Sequence, residues 1–174
     1  LTVSTLPASH SWFHADEERI FSRLDAMSGF LDVLGRQTGR LMQLGLEPEP
    51  FGHFHDTDGA IRFFNGLRNR SRRPELIERH LGLTYDTCHF AILREEPEFT
   101  LSAWEENNIA LCKVQFSNAL ECRICGEEDL ERLRQFDDGV YFHQTSILHR
   151  EGSMLFPDLP NALAYGRDYA EEIR

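Results

Sequence analysis

Short apolar runs alternate with amphipathic stretches along most of this chain, and that rhythm restricts the fold more than any single residue does. Residues 1–6 read as a strand that Pro7 ends. From Asp16 the apolar positions Ile20, Leu24, Met27, Leu31, Leu34 and Leu41 step by three, four or seven, the repeat of one helix face. Gly39 is a helix stop, and Leu41 to Leu46 reads as a buried strand that delivers Glu47. Thr57 or Asp58 caps a helix carrying Ile61, Phe64 and Leu67. Pro74 opens another at the position where proline is tolerated, and Gly82 precedes the strand Leu83 to Asp86. Pro97 starts a helix with Leu101 and Trp104, followed by the strand Ile109 to Ser117. Glu127, Glu128 and Asp129 open the next helix and Arg132 and Arg134 lie near its end, as the helix dipole favours. A strand from Gly139 to His143 and a helix from Asp158 complete the pattern. Five strands alternating with helices predict an α/β fold with a parallel sheet.

Two parallel architectures compete. A doubly wound nucleotide-binding sheet wants a glycine-rich turn after an early strand, and the chain has neither GxGxxG nor GxxxxGK followed by Ser or Thr. A (β/α)8 TIM-type barrel takes about 250 residues, so 174 residues correspond to about five of its eight units. The whole chain, 1–174, then reads as a single partial-barrel domain. Glu47, Asp86, Gln115 and His143 each stand at or near the C-terminal end of a different expected strand. A barrel gathers those ends at one mouth, where its active sites are built.

Charge narrows the function. Acidic groups outnumber basic ones 29 to 18, a net −11, and such a field repels phosphate backbones. The one basic cluster, Arg68, Arg70, Arg72 and Arg73, reads as a solvated loop. No apolar run reaches the roughly 20 residues of a membrane span, and no signal segment opens the sequence. Nucleic acid and membrane are therefore not expected partners. The expected location is the cytoplasm, where Cys88, Cys112, Cys122 and Cys125 are read as reduced packing thiols. The Cys122–Cys125 CxxC lacks the second pair that a structural zinc usually needs.

Two phrases carry chemistry. Leu46-Glu-Pro-Glu-Pro50 sets Glu47 and Glu49 two residues apart, with prolines that stop a central strand. Tyr85-Asp-Thr-Cys-His89 places an aspartate and a histidine three apart where a strand ends, able to share one ion or substrate if the chain turns. His53 and His55 follow the Glu47 strand. Lys113, the only lysine, is expected to be buried inside its strand on the face of Gln115. Schiff-base chemistry and a salt bridge to Glu47 or Asp86 are its two readings.

These residues resemble the fifth and sixth strands of the xylose isomerase-like barrels. A closer resemblance is to the family named metabolite traffic protein EboE. It runs through Ser4-Thr-Leu-Pro7, Leu46-Glu-Pro-Glu-Pro50, His80-Leu-Gly-Leu-Thr-Tyr-Asp-Thr-Cys-His89, Lys113-Val-Gln-Phe-Ser-Asn-Ala-Leu120 and Tyr141-Phe-His-Gln144. The resemblance implies a chain that begins near the fourth barrel strand and stops before the barrel closes. It makes Glu47 and Asp86 metal-binding carboxylates, with His89 beside them as ligand or substrate contact. Gln115 falls where many relatives carry a metal-binding histidine, and the superfamily's last glutamate has no evident counterpart.

An oxygen-rich set of Glu47, Asp86, Gln115 and His143 suits Mn2+ or Mg2+ better than Zn2+. The expected activity is a metal-dependent isomerisation or epimerisation of a sugar-like metabolite, by proton transfer next to a metal-polarised carbonyl. Glu47, His89 and Lys113 are the catalytic candidates; Glu49, His53, His89 and His143 are the substrate contacts. A non-catalytic metabolite-binding or traffic protein, a metal-dependent hydrolase on the same barrel, and assembly as a homo-oligomer stay open.

Overall fold

A computed structural model describes residues 2–4, 16–139, 143–149 and 152–172. The chain, read from sequence as one domain, divides into two compact units, Leu1–Asn118 and Ala119–Arg174, each taken by itself below. No helix among the described residues is long and apolar enough to cross a membrane.

The first unit is mixed α/β. Its strands are β1 (Thr2–Ser4), β2 (Leu44–Glu47), β3 (Leu81–Asp86) and β4 (Ala110–Gln115), all parallel and in the spatial order β1-β2-β3-β4. Between them lie α1 (Glu17–Thr38), α2 (Thr57–Arg70), α3 (Pro74–His80), α4 (Thr87–Leu93) and α5 (Pro97–Glu106). Asp16 caps α1 through a bond from the Arg19 amide at 3.2 Å, and Gly39 ends the helix in the left-handed region at φ 66°. The α2 cap is Asp56, one residue before the expected Thr57, and it accepts from the Gly59 amide at 2.6 Å. The Glu95 carboxylate reaches across to the same helix start and accepts from the Thr57 amide at 3.1 Å.

The sheet has two unlike faces because side chains alternate along each strand. Leu44 and Leu46 of β2 and Leu81, Leu83 and Tyr85 of β3 point into the core. There they meet Phe21, Leu24 and Leu31 of α1, Phe63, Phe64 and Leu67 of α2, Ile77, Phe90 and Trp104. Tyr85 stacks on Phe90 at 4.5 Å, and Trp104 closes edge-on against both rings. Truncating such a buried leucine to alanine costs about 2–5 kcal/mol.

The other face carries Gly45, Glu47, Gly82, Thr84 and Asp86. Both glycines are required by close approach. A Cβ at Gly45 would stand 2.6 Å from Thr84 Oγ1, and one at Gly82 would stand 2.2 Å from Ala110 O and 2.6 Å from Cys112 Sγ.

The second unit holds α6 (Glu127–Arg134), the antiparallel hairpin β5 (Thr145–His149) with β6 (Gly152–Phe156), and α7 (Leu159–Glu172). Leu130, Leu159 and Leu163 form its small core. Residues 140–142 of the expected strand Gly139 to His143 lie outside the described residues. The hairpin that follows pairs its two strands with each other, so among the described residues four strands are parallel.

Candidate functional site

Glu47 and Asp86 end adjacent parallel strands, and each is buried, at 6% and 7% exposure. Two carboxylates in that position repel each other. Gln115, at the end of β4, bridges them with one nitrogen without cancelling their charge: Nε2 donates to Glu47 Oε1 and to Asp86 Oδ2, each at 2.8 Å. Its Oε1 accepts from Lys113 Nζ at 2.6 Å. The sequence thus located all three groups by their place at strand ends.

Asp86 serves two structures at once. It closes β3 and caps α4, accepting from the Cys88 amide at 3.0 Å through Oδ1. The Ser117 hydroxyl donates to the same oxygen. Burial raises the Asp86 pKa, but the Ser117 hydroxyl, Cys88 and the His89 ring outweigh it and hold the carboxyl below its ordinary value. Glu47 goes the other way. Burial is the main cause, Asp86 and Glu49 add to it, and His89 and Gln115 offset only part.

His89 sits in the first turn of α4, with Nδ1 3.1 Å from Pro48 O and 3.5 Å from Glu47 Oε1. The chain after Pro48 turns: Glu49, Pro50, Phe51 and Gly52 form a turn closed by the Gly52 amide on Glu49 O at 2.7 Å. Phe51 takes φ 66° there.

Other expected site residues are placed elsewhere. His53 pairs with Glu17 at 3.3 Å and sets its ring edge against Phe63. Glu49 lies in the turn, half-buried. His143 belongs to the second unit, where Nδ1 lies 2.7 Å from Asp158 Oδ1. Lys113 is exposed, contrary to the expected burial, because β4 is the last strand of its sheet among the described residues, with no described strand on its far side. Nor does it pair with Glu47 or Asp86 in the way expected, since Gln115 stands between.

Sequence reading passed over two contributors. Cys88 is expected as a packing thiol and is free and half-buried; it also stands in a group with Asp86 and His89, each offering a ligand atom within 4.8 Å of the others. Burial pushes the Cys88 thiol up to about 11. Ser117 is expected only as the last residue of the strand Ile109 to Ser117, and a serine there gives no sign of its bond to Asp86. All four cysteines are free.

No family model matches the chain, and no curated protein matches it.

Glu47 Oε1 and Asp86 Oδ2 both lie 2.8 Å from one point, and the Gln115 nitrogen fills it. Carboxylates hold Ca2+ at roughly 2.3–2.6 Å and Mg2+ at about 2.0–2.1 Å, so the two oxygens could share such an ion only after that nitrogen leaves and they draw closer. A turned Gln115 amide would add a third oxygen. Asp86, Cys88 and His89 form a second, softer donor set that shares the aspartate, of the kind that suits zinc better than Mg2+.

Proposed function

We propose that the first unit is part of a (β/α)8-type barrel whose mouth acts on a small polyhydroxylated metabolite, moving a proton at the carbon beside a carbonyl. The sequential strand order supports the barrel, because a doubly wound sheet reverses its order at a switch point. The resemblance of the strand-end phrases to the xylose isomerase-like family agrees with it. The observation that carries the chemistry is the pairing of Glu47 with Asp86 across the Gln115 nitrogen.

Glu47, Asp86 and Gln115 would hold a divalent ion, with Mn2+ or Mg2+ suited to their oxygens. A bound ion supplies Lewis-acid polarisation of the carbonyl. Everything else falls to the side chains. Two carboxylates whose environments drive their proton affinities apart divide the work of acid and base. Asp86, held ionised by hydroxyl and amide donors, anchors charge. Glu47, held up by burial, takes a proton from carbon and returns it. His89 keeps Nε2 for a substrate hydroxyl while Nδ1 faces the Pro48 carbonyl.

The test is hydrogen exchange. The chain, given Mn2+ and a set of aldoses and ketoses in D2O, should wash deuterium into the carbon next to the carbonyl. Glu47→Gln should slow that exchange by about 100-fold or more, the scale of general base catalysis. Binding of a sugar with no exchange in the unmodified chain would instead favour a binding or traffic role. Gln115 gives that second reading its support, since its amide satisfies both carboxylates by itself.

A further inference from the structure

Gln115 is held in one orientation by what surrounds it. An ammonium can only donate and an ionised carboxylate can only accept. With Lys113 Nζ at 2.6 Å from Oε1 and both acids at 2.8 Å from Nε2, the two ends of the amide are not interchangeable. Turned end for end, the amide would set its oxygen against two carboxylates and its NH2 against an ammonium. The partners thus decide an assignment that side-chain shape alone leaves open.

Lys113 and Gln115 are two apart on β4, so they share a face and the contact needs no backbone distortion. The bond from Lys113 is charge-assisted and polarises the amide, which strengthens the N–H bonds at its other end. Lys113 is exposed, so its charge stays hydrated while it does this.

We infer that Lys113 is a positioning residue that opposes cation binding at the mouth, by latching the Gln115 amide with its nitrogen between Glu47 and Asp86. The inference rests on the cation reading of this site and adds to it a control. A cation between the acids must displace Nε2, and the amide can offer its oxygen only by giving up Lys113. The ammonium then faces a second positive charge without its acceptor. The sequence alone points the other way, to a lysine that is either catalytic or an ion-pair partner of the acids.

Removal of the charge therefore tightens binding. The measurement is Mn2+ titration of the chain, following the free-ion electron paramagnetic resonance signal, for the unmodified protein, Lys113→Met, Lys113→Arg and Asp86→Asn. Circular dichroism on each sample checks folding. Lys113→Met should bind Mn2+ about 10-fold more tightly, a change of about 1.4 kcal/mol. Lys113→Arg keeps a charged donor and should bind as the unmodified chain does, a rescue that a merely space-filling role would not produce. Asp86→Asn should abolish binding. Equal or weaker binding by Lys113→Met, with the unmodified chain still binding through Asp86, overturns the latch and leaves the cation site standing. No Mn2+ binding by either the unmodified chain or Lys113→Met overturns both.

Discussion

His89 turns Nδ1 onto the Pro48 carbonyl at 3.1 Å. A carbonyl only accepts, so that nitrogen carries the proton and Nε2 of the neutral ring keeps its lone pair. Histidines that bind metals or substrates are commonly fixed this way, by a backbone oxygen behind the ring. Because Pro48 has no amide hydrogen and sits between Glu47 and Glu49, one short phrase supplies both the carboxylate and the orienting carbonyl.

That tautomer is measurable. Nitrogen-15 NMR of the imidazole ring, taken well above the histidine range of pH, should find His89 protonated at Nδ1. A ring protonated at Nε2 would mean that the Pro48 contact does not direct it.

Glu47 and Asp86 should respond to charge removal with opposite signs. The Glu47 pKa is raised in the folded chain above its ordinary 4.5, so the ionised side chain weighs against folding at neutral pH. That penalty fades as the pH falls through the raised value. Glu47→Gln should therefore raise the melting temperature at pH 7, with the gain shrinking toward pH 4. The Asp86 pKa is lowered below 3.8, so it contributes stability above that value and loses it as the pH falls through the folded pKa. Asp86→Asn should lower the melting temperature at pH 7. Shifts of the same sign would sink the division of roles between the two acids.

Cys88 should resist alkylation. With its thiol pushed up to about 11, little thiolate exists at pH 8. Iodoacetamide followed by peptide mass mapping should label the exposed Cys125 well before Cys88. Labelling of Cys88 at an equal rate would place it in a wetter, more polar setting than the one seen here.

Gly82→Ala should destabilise the first unit by about 1–3 kcal/mol or more, the range for overpacking. The added methyl meets backbone at Ala110 O, which cannot step aside as a flexible side chain can. Chemical denaturation gives the value directly, and a change under about 0.5 kcal/mol, within ordinary surface scatter, would contradict the packing described.

Much of the first unit was legible in the sequence. Asp16 and Gly39 mark the ends of α1, Pro74 and Pro97 the starts of α3 and α5, and each works through local backbone chemistry that a sequence displays. The α4 helix was not legible, because Thr87–Leu93 is short, has no polar face to give a period, and begins inside a phrase that read as a turn. The β5–β6 hairpin was not legible either, because Thr145–His149 and Gly152–Phe156 are short and neither shows a clear apolar-polar alternation. At the site, Glu47, Asp86 and Gln115 could be read from position alone. What Lys113 touches could not, since whether a strand residue is buried depends on whether another strand lies beside it.

Gly45 and Gly82 have a bearing on how the two carboxylates are supported. With Thr84 Oγ1 and the Cys112 side chain occupying the space that their Cβ atoms would take, the sheet is filled one layer beneath the carboxylates. Directly beneath Glu47 and Asp86 the strands thus pack against one another's side chains, and neither glycine position has room for a larger residue. Thr84 leaves a fully buried hydroxyl without a hydrogen-bond partner in that layer. A threonine-to-valine exchange there would keep the shape and remove the hydroxyl, so the two carboxylates stand on a layer whose tolerance is set by volume and not by polarity.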